Sequence, residues 1–234
     1  AHELKNPLTS LRSAVETLPL AKNEESRGRL LAVIRHDVKR LDRLITDISD
    51  ASRLDAELAR DDAAPLDVAQ LIEAVVSVQN QITREGQPAV DLSIDRRGQR
   101  PAGDPFRVLG HDSRLGQVFV NLIENARSFS PADKPVRVKL SRVAGDVLIT
   151  IEDDGPGIPP HALERIFERF YTDRPESGFG QNSGLGLSIS RQIVEAHRGT
   201  IRAENRYASE QSEGEDKRLG ARFIVRLPAA AQPA

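Results

Sequence analysis

Residues 147–157 read Val-Leu-Ile-Thr-Ile-Glu-Asp-Asp-Gly-Pro-Gly, and this stretch carries the clearest strand and turn signals in the second half of the chain. Its first five residues place apolar side chains at every second position, which predicts a half-buried strand. Three carboxylates and two glycines follow the strand at once. Glycine allows a tight turn in which backbone N–H groups approach an anion closely. The stretch therefore predicts a strand that ends in a turn suited to a ligand.

Strands and helices are interleaved on both sides of this stretch. Residues 136–140 alternate as the preceding strand, and Ala-Gly-Asp at 144–146 is a hairpin signal. Further strands are predicted at 90–94, 200–203 and 221–227. Helices are predicted at 68–78, 114–127 and 185–197. In the helix at 114–127, the inward positions are Leu115, Val118, Leu122 and Ile123. Because the late strands are close enough in sequence to pair antiparallel, we predict an α+β two-layer sandwich with helices on one face of a mixed sheet.

The ends of this half carry weaker patterns. Residues 207–218 are charged and aperiodic, so we expect an exposed hairpin loop. Residues 229–234 are mostly small, and we expect a disordered tail. The periodicity changes at Ala63-Ala64-Pro65, and we place the domain boundary there. One domain then covers residues 1–64 and the other residues 65–228.

Residues 1–64 carry two helical patterns and no strand signal. Both patterns repeat apolar residues at alternating steps of four and three, as in an a/d helical seam. The positions are Leu4, Leu8, Leu11, Val15 and Leu18, then Leu31, Ile34, Val38, Leu41, Ile45 and Ile48. Residues 19–25 break the pattern, so we predict an all-α antiparallel hairpin. A second copy would cover its apolar stripe in a four-helix bundle, and capping by the second domain is the alternative.

Composition excludes several classes of protein. The 33 Lys and Arg residues nearly balance the 35 Asp and Glu residues, which argues against a broadly basic nucleic-acid binder. The chain has no Cys, so disulfides, thiolate zinc sites and cysteine nucleophiles are ruled out. No apolar run approaches the roughly 18 residues that a membrane span needs. The chain also lacks Met, and we expect a processed product or a piece of a longer protein.

The sequence His2-Glu3-Leu4-Lys5-Asn6-Pro7 is the candidate reactive segment of the first helix. The helical seam leaves His2 and Asn6 outside it, four residues apart on one solvent-facing surface. A neutral imidazole, with a pKa near 6.5, is a competent nucleophile at neutral pH. Glu3 could accept its proton, Asn6 could orient a water molecule, and Pro7 should bend the helix. A solvated surface histidine is the alternative, which position alone does not exclude.

The second domain offers a matching set of polar groups. Asn121 and Asn125 are four residues apart on one predicted helix, so both amides point the same way. The Asn125 oxygen suits Mg²⁺, and Asp153 could accept a hydrogen bond from an adenine amino group. Glycine pairs at 178–180 and 184–186 precede another helix. A single glycine pair is usually a turn, but the ordered set is more specific.

In this order the motifs resemble the H, N, G1, F and G2 boxes of two-component sensor histidine kinases. The boxes correspond to residues 2–7, 121–129, 153–158, 165–171 and 184–187. The resemblance implies a dimerisation and histidine-phosphotransfer domain followed by an ATP-binding domain of the Bergerat (GHKL) fold. Asn-Ala-Arg-Ser-Phe-Ser at 125–130 resembles the ChvG-type acid-sensing kinases.

The resemblance implies a role for each motif residue. His2 would accept the phosphoryl group, Glu3 would act as base, and Asn6 would orient water during dephosphorylation. In the second domain, Asn125 would hold Mg²⁺, Asn121 would lie by the phosphates and Asp153 would read adenine. The other nucleotide-binding positions implied are Gly155, Gly157, Ile158, Phe170, Tyr171, Arg174, Gly184, Leu185, Gly186 and Leu187. Residues 171–183 would form a mobile ATP lid.

The implied function is self-phosphorylation with Mg²⁺ and ATP, followed by transfer to an aspartate of a response regulator. The implied partners are a second copy of the chain and that regulator, with no nucleic acid and no direct membrane contact. The family habit implies the cytoplasmic portion of an inner-membrane protein. A phosphatase-dominant sensor and an inactive dimeric scaffold are the alternatives. Intact Asn125, Asp153 and glycines argue against the scaffold.

Three departures from the family pattern matter. Ser128 stands where relatives often carry a basic residue, with Arg127 one step earlier, and Thr172 stands where Arg is common, with Arg174 two later. Both Arg127 and Arg174 therefore stay candidates for the γ-phosphate contact, and solvent exposure is the alternative for each. His2 lies almost at the start of the chain, so we expect helix upstream in the full-length protein and weaker self-phosphorylation by this piece than by a longer one.

Two other interpretations are weaker. Gyrase-like ATPases of the same fold carry a water-activating Glu four residues before the Mg²⁺-binding Asn, and Asn121 in that place cannot take a proton. Transfer to an imidazole is therefore favoured over hydrolysis. His36 and His197 are poor acceptor candidates, since His36 lies between seam residues and His197 ends a helix just before Gly199.

Overall fold

The computed structural model describes residues 2–58, 63–96, 106–171, 184–207 and 218–230. The chain forms two compact units. The first comprises Ala1–Arg60 and Glu168–Ser188, and the second comprises Asp61–Phe167 and Ile189–Ala234. The helices and strands, in chain order, are α1 (His2–Thr17), α2 (Glu24–Leu58), β1 (Ala64–Asp67), α3 (Val68–Gln81), β2 (Val90–Ile94), β3 (Arg107–Gly110), α4 (Asp112–Phe129), β4 (Val136–Val143), β5 (Asp146–Glu152), α5 (Gly186–Ala196), β6 (Thr200–Tyr207) and β7 (Arg218–Pro228).

The first unit contains the predicted helical hairpin. A short 3₁₀ turn with Pro19 at its start separates the two helices, and the Asn23 side chain accepts a hydrogen bond from the Ser26 N–H at 2.8 Å as α2 begins. Helix α2 continues to Leu58, six residues beyond the point where the apolar periodicity fades. The added residues include Arg, Leu, Ala and Glu, which are good helix formers without an apolar face.

The hairpin has a buried face and an exposed apolar face. The inward face repeats every seven residues at Pro7, Ala14, Asp37 and Leu44, all of which are buried. A second set, also spaced by seven, is exposed: Leu8 (52%), Val15 (51%), Leu31 (38%), Val38 (50%) and Ile45 (59%). We call this second set the outer stripe. The hairpin of one chain therefore leaves half of its predicted seam uncovered.

The second unit is built on a five-stranded mixed sheet with the strand order β2-β4-β5-β7-β6. Strand β2 runs parallel to β4, and the remaining neighbours pair antiparallel. One face of the sheet and helix α4 form the core. The buried residues of α4 are Leu115, Val118, Phe119, Leu122, Ile123 and Ala126, which include the four predicted inward positions. The predicted α+β class is confirmed.

Two short strands were not predicted from the sequence. Strand β1 pairs antiparallel with β3 in a separate two-stranded sheet. Four residues with Pro65 among them give too short a pattern to read as a strand. Strand β1 ends at Asp67, whose side chain accepts hydrogen bonds from the N–H groups of Ala69 and Gln70 and so caps α3.

The chain ends differ from the prediction in one place. Ala229 forms a β-bridge with Val108, and the Ala230 N–H donates to the Arg107 carbonyl at 2.8 Å. These two residues are therefore ordered against β3, because free main-chain groups of β3 can pair with them, and they do not belong to a disordered tail. Residues 231–234 of the predicted tail and residues 208–217 of the predicted hairpin loop lie outside the described part of the chain. Among the helices that the structure describes, none has the length and apolar character of a membrane span.

Candidate functional site

Helix α4 carries the two predicted asparagines one turn apart. The Asn121 amide donates to the Ser190 hydroxyl of α5 at 3.5 Å, the outer limit of a hydrogen bond. The Asn125 amide makes no hydrogen bond within the described part of the chain, while the Asn125 carbonyl accepts one from the Ser128 hydroxyl at 2.6 Å. The Asn125 side chain, which is half-buried, is thus available to a ligand.

Asp153 follows directly on β5 and is buried, with 2% of its surface exposed. Its Oδ1 atom accepts hydrogen bonds from the N–H groups of Gly155 at 2.9 Å and Ala221 at 3.0 Å. No group in the described ranges donates to Oδ2. Burial raises the pKa of Asp153, and the two backbone donors oppose that rise only in part. The carboxylate is therefore held in one orientation with one oxygen left to accept a hydrogen bond from a ligand.

The N–H group of Gly155 is hydrogen-bonded within the protein, which the glycine pattern alone does not indicate. Its N–H group is directed at the Asp153 carboxylate in a tight Asx-type turn. That N–H supports the acceptor residue and is already engaged before any phosphate arrives. Gly157, two residues on, adopts a positive φ of 76° and precedes Ile158.

Asp154 is oriented by two arginines from neighbouring strands. Arg137 of β4 donates to both carboxylate oxygens at 2.8 Å, and Nη1 of Arg206 of β6 donates to Oδ1 at 2.7 Å. The hydrogen bonds from Arg137 are the largest cause that holds the pKa of Asp154 well below its usual range. Asp154 is therefore ionised at neutral pH and fixes the turn after β5.

Glu152 anchors the same region at the end of β5. Its carboxylate lies 2.8 Å from Arg222, 3.3 Å from Lys139 and 3.6 Å from Arg206. Burial opposes ionisation of this residue, which is 2% exposed, but the nearby cations outweigh burial and lower its pKa. A charged network thus crosses the outer face of the sheet from β4 to β6.

Ile158 closes the other end of the loop. Its N–H donates to Oδ1 of Asn205 at 2.7 Å, and its carbonyl accepts from Nδ2 of Asn205 at 2.7 Å. The same carbonyl accepts a hydrogen bond from Nη1 of Arg218 at 2.9 Å. The predicted loop residues 153–158 are therefore fastened at both ends to the distal ends of β6 and β7.

Phe170, Tyr171 and Gly184 lie in the first unit at the two ends of the predicted lid. The Phe170 N–H donates to the Gly184 carbonyl at 2.9 Å, so these ends lie side by side. Gly184 has a φ of 72°, and a Cβ there would come within 2.9 Å of the Phe170 main chain. Only glycine fits this closure without strain. Residues 172–183, with Thr172 and Arg174, lie outside the described residues.

Gly184-Leu-Gly-Leu187 leads into α5, which begins at Gly186. Leu185 is buried, and its carbonyl accepts a hydrogen bond from the Ser188 hydroxyl at 2.8 Å. Gly186 and Leu187 are half-buried in the first turn of the helix. The predicted order of glycine loop and helix N-terminus is therefore present, which suits binding of an anion.

Arg127, one of the two candidates for a phosphate contact, is engaged within the fold. Its guanidinium donates to the carbonyl and side-chain oxygens of Gln79, both at 3.1 Å, and to the Thr83 hydroxyl at 2.6 Å. Burial lowers its pKa, although Glu124 opposes that shift. The side chain holds the C-terminal end of α3, and Arg174 stays the other candidate.

The histidines of the described residues can be separated by their surroundings. The His197 Nδ1–H donates to the Ile193 carbonyl at 2.7 Å, and Nε2 accepts from the His111 N–H at 3.1 Å. Burial lowers the pKa of His197, which is consistent with a neutral ring whose nitrogens are both occupied. His36 is exposed, with Nδ1 3.3 Å from the Asp37 carboxylate. His197 thus has a structural place.

Helix α1 carries the predicted reactive segment. It continues without interruption through Pro7, which is buried, and Asn6 is exposed as predicted. Positions 2 and 6 are one helical turn apart. The side chains of His2 and Glu3 lie outside the described part of the structure. Their roles stay predictions.

Comparison with known families decides the identity of this arrangement. The family described as "Histidine kinase-, DNA gyrase B-, and HSP90-like ATPase" matches residues 110–231, and the "His Kinase A (phospho-acceptor) domain" matches residues 1–57. The chain belongs to the sensor histidine kinase family. The predicted family and the GHKL fold are thereby confirmed. The ATPase-family match covers helix α4, the sheet strands β4 to β7 and the turn that carries Asp153.

Individual relatives agree with this assignment. Sensor protein ChvG of Rhizobium meliloti is 57% identical over 237 residues, covering 100% of this chain and 40% of that protein. The kinase core therefore spans about two-fifths of the length of that curated relative, and the ChvG-type resemblance is confirmed. The crystal structure of full-length ShkA in complex with AMPPNP has a TM-score of 0.65 and 25% identity, over 100% of this chain and 45% of that one.

A further solved structure shows the same fold. Histidine kinase ThkA in complex with response regulator protein TrrA has a TM-score of 0.69 and 23% identity, over 98% of this chain and 60% of that chain.

The sequence analysis did not predict the residues that bind the 153–158 turn from neighbouring strands, chiefly Arg137, Asn205, Arg206 and Arg218. Their only signal in the sequence is a run of polar and charged residues at outward strand positions, a pattern that usually indicates a face exposed to solvent.

Proposed function

We propose that this kinase core binds Mg-ATP in its second unit, transfers the γ-phosphoryl group to His2 and passes it to an aspartate of a response regulator. One observation carries the proposal. Within a domain of the ATPase family, Asp153 is buried and fixed through Oδ1, while Oδ2 is left to accept a hydrogen bond. An amino group such as that of adenine supplies the matching donor.

The acceptor at Asp153 also favours adenine over guanine. Adenine presents an exocyclic amino group where guanine presents a carbonyl oxygen. A carbonyl facing the fixed carboxylate would leave two acceptors opposed without a proton between them, which is costly in a buried site. The related ShkA structure holds an ATP analogue, which supports nucleotide binding in this fold.

Asn125 fits a magnesium site. Its amide oxygen is neutral and hard, and no group of the described chain competes for it. Mg²⁺ usually keeps water and substrate phosphates as its other ligands, so one protein oxygen suffices. When bound, the ion neutralises charge on the phosphates. Asn121 beside the phosphates and Gly184–Leu187 at the start of α5 keep the roles that the family resemblance implies for them.

The proposed transfer forms one bond and breaks one. A ring nitrogen of His2 forms a bond to the γ-phosphorus while the bond from that phosphorus to the β–γ bridging oxygen breaks, and ADP leaves with the electron pair. Glu3 accepts the proton that the imidazole loses. The reacting atoms must come within about 3–3.5 Å in line. Asn121 cannot act as a base for water, so imidazole is the favoured acceptor.

The hairpin supports a homodimer. The outer stripe of Leu8, Val15, Leu31, Val38 and Ile45 is apolar, regularly spaced and exposed in one chain. A second hairpin covers such a stripe in a four-helix bundle. A response regulator is the proposed acceptor partner, which the ThkA–TrrA complex supports for this fold. By the family resemblance, we place the kinase core on the cytoplasmic side of an inner-membrane protein.

Asn6 favours a second activity toward the phosphorylated regulator. It is exposed on α1, one turn from position 2, where its amide can orient water. Removal of the phosphoryl group from the regulator therefore accompanies transfer in this proposal. An Asn6→Ala variant should phosphorylate itself normally and lengthen the lifetime of the phosphorylated regulator.

Calorimetric titration with Mg-ATP tests the nucleotide site. The parent chain should bind, Asp153→Asn should bind more weakly by about tenfold or more, and Asn125→Ala should lose the dependence on Mg²⁺. Asp91→Asn, an exposed acid on β2, is the matched control and should bind like the parent. Absence of binding by the parent chain would instead support the inactive scaffold.

A further inference from the structure

We propose that Asn205, Arg206 and Arg218 are positioning residues that hold the Asp153–Ile158 turn in its adenine-reading shape before nucleotide arrives. We call these three residues the loop clamp. They lie at the C-terminal end of β6 and the N-terminal end of β7, about 50 residues or more after the turn in the sequence. The inference rests on the proposed function, since it concerns how tightly and how selectively the same site takes adenine.

Arg206 holds the first end of the turn. Its Nη1 atom donates at 2.7 Å both to the Asp153 carbonyl and to Oδ1 of Asp154. One guanidinium thereby joins a main-chain oxygen to the carboxylate of the next residue, which fixes the peptide between them. The Arg206 side chain is only 17% exposed, so these hydrogen bonds are largely shielded from water. Charge-assisted hydrogen bonds of this kind are the stronger ones in proteins.

Asn205 and Arg218 hold the second end. The Asn205 amide makes a reciprocal pair with the N–H and carbonyl of Ile158, both at 2.7 Å, as a neighbouring strand would. Arg218 adds a hydrogen bond to the same carbonyl at 2.9 Å. The turn is therefore tied at residues 153–154 and at residue 158 to one pair of strands, and its middle cannot shift without breaking one of these ties.

The main chain of β7 presses on the same turn. Gly220 has a φ of 133°, and a Cβ there would lie 2.0 Å from the Asp153 carbonyl oxygen. The next residue, Ala221, donates to Oδ1 of Asp153 at 3.0 Å and accepts from its N–H at 3.0 Å. The loop clamp therefore binds the turn close to the point where β7 contacts Asp153. Any movement of the turn would also move the Asp153 carboxylate.

The charged network keeps the loop clamp in place without nucleotide. Arg137 supplies a second cation to Asp154, and Glu152 lies 3.6 Å from Arg206. Arg206 is thus held between two carboxylates at the end of β5. A turn that is ordered in advance loses less conformational entropy on binding, which strengthens affinity for the ligand.

This arrangement predicts a particular kinetic signature. The adenine ring does not react, so its contacts are the same in the bound ground state and in the transition state. Loss of such uniform binding raises KM and leaves kcat unchanged. A misplaced carboxylate also discriminates less between adenine and guanine. A variant that only lowers stability would weaken ATP and GTP binding alike, so the ratio of the two affinities separates the roles.

The experiment measures Kd for Mg-ATP and Mg-GTP, and the KM and kcat of self-phosphorylation, in the whole chain. Arg206→Ala should raise the Kd and KM for ATP about tenfold, lower the ATP-to-GTP preference by a similar factor and leave kcat within about twofold. Arg206→Lys should recover part of the loss, since an ammonium reaches Asp154 without the planar fork. Arg202→Ala, on the same strand with a 69% exposed side chain, should match the parent.

The outcomes are distinguishable. If the parent chain binds no nucleotide, the proposed function and the clamp both fall. If the parent binds and Arg206→Ala keeps the same Kd and the same nucleotide preference, or loses kcat with KM unchanged, the clamp alone is overturned. Should Arg206→Ala not fold, Asn205→Asp decides in the same assays, because it turns one donor toward Ile158 into an acceptor. Parent-like affinity and preference in that variant would overturn the inference.

Discussion

The hydroxyl oxygen of Thr83 lies 2.6 Å from Nη2 of Arg127, and this hydrogen bond ties the end of α3 to the helix that carries Asn121 and Asn125. The same guanidinium caps α3 through two hydrogen bonds to Gln79. The last carbonyls of a helix have no partner within it, and a cation there is favourable. Arg127 therefore stabilises the packing of the helices that carry the proposed nucleotide site.

Replacement of Arg127 should lower the stability of the fold and leave the turnover rate nearly unchanged. Arg127→Ala leaves the side-chain oxygen of the buried Gln79 without its donor, although the Thr83 hydroxyl still donates to the Gln79 carbonyl, and should lower the free energy of unfolding by about 1–3 kcal/mol, measured by urea denaturation. The kcat of folded protein should change by less than about twofold. Arg84→Ala, an exposed arginine just after α3, is the control. A lost kcat with unchanged stability would instead make Arg127 the phosphate contact.

Gly220 should tolerate no side chain. A Cβ at this position would lie 2.0 Å from the Asp153 carbonyl oxygen, so the strand or the turn must move. Gly220→Ala should weaken Mg-ATP binding by about tenfold or more and destabilise the chain by about 2 kcal/mol or more. Gly28→Ala, in α2 with no atom within 4 Å of the new Cβ, should be neutral or slightly stabilising. Equal behaviour of the two variants in calorimetry would contradict the described contact.

His197 should make stability depend on pH. Its folded pKa lies below the ordinary value of about 6.5, so the unfolded chain binds more protons in mildly acidic solution. The stabilisation is complete above about pH 6.5 and is lost as the pH falls through the folded pKa, with a slope of at most about 1.4 kcal/mol per pH unit.

Thermal melts between pH 7.5 and 5.0 would measure this dependence. His197→Gln should reduce the slope, because glutamine keeps a donor and an acceptor but does not titrate. His161→Gln, at an exposed position, should leave the slope unchanged. The same slope in parent and His197→Gln would exclude His197 as its source.

The strong periodic segments were predictable from local pattern. Strand β2 has the predicted bounds, and α4 buries the four predicted inward residues. Such patterns report which side of an element faces the core. They do not report which strands are neighbours, and the order β2-β4-β5-β7-β6 brings Glu152 beside Arg222, which is 70 residues away in sequence. The charged network therefore could not be predicted.

The candidate site likewise contains residues that the sequence indicates and residues that it does not. Asp153 and the following glycines stand out in the sequence because carboxylate and glycine occur together after a strand. The residues that fasten this turn, such as Asn205 and Arg206, carry no motif. Their contacts depend on the pairing of β6 with β7, including the irregular register between Arg206 and Tyr207. Long-range register, and not residue type, gives them their place.

The outer stripe should control self-association. Val38→Glu places a charge in the middle of the stripe and should shift the chain toward monomer in sedimentation experiments, because an unpaired charge is costly to bury. Val33→Glu is the matched control, since Val33 is also an exposed valine of α2 but lies off the stripe. Equal effects of the two changes would argue against a dimer formed through this face.

Identification of the phosphorylated residue is the decisive test of the proposed phosphoryl transfer. Incubation of the chain with γ-labelled ATP and Mg²⁺, followed by peptide mapping, should locate the label on His2. The label should disappear in His2→Gln and persist in His36→Gln, the histidine variant of the neighbouring helix. Label that survives in His2→Gln, or that maps to any other residue, would contradict the account.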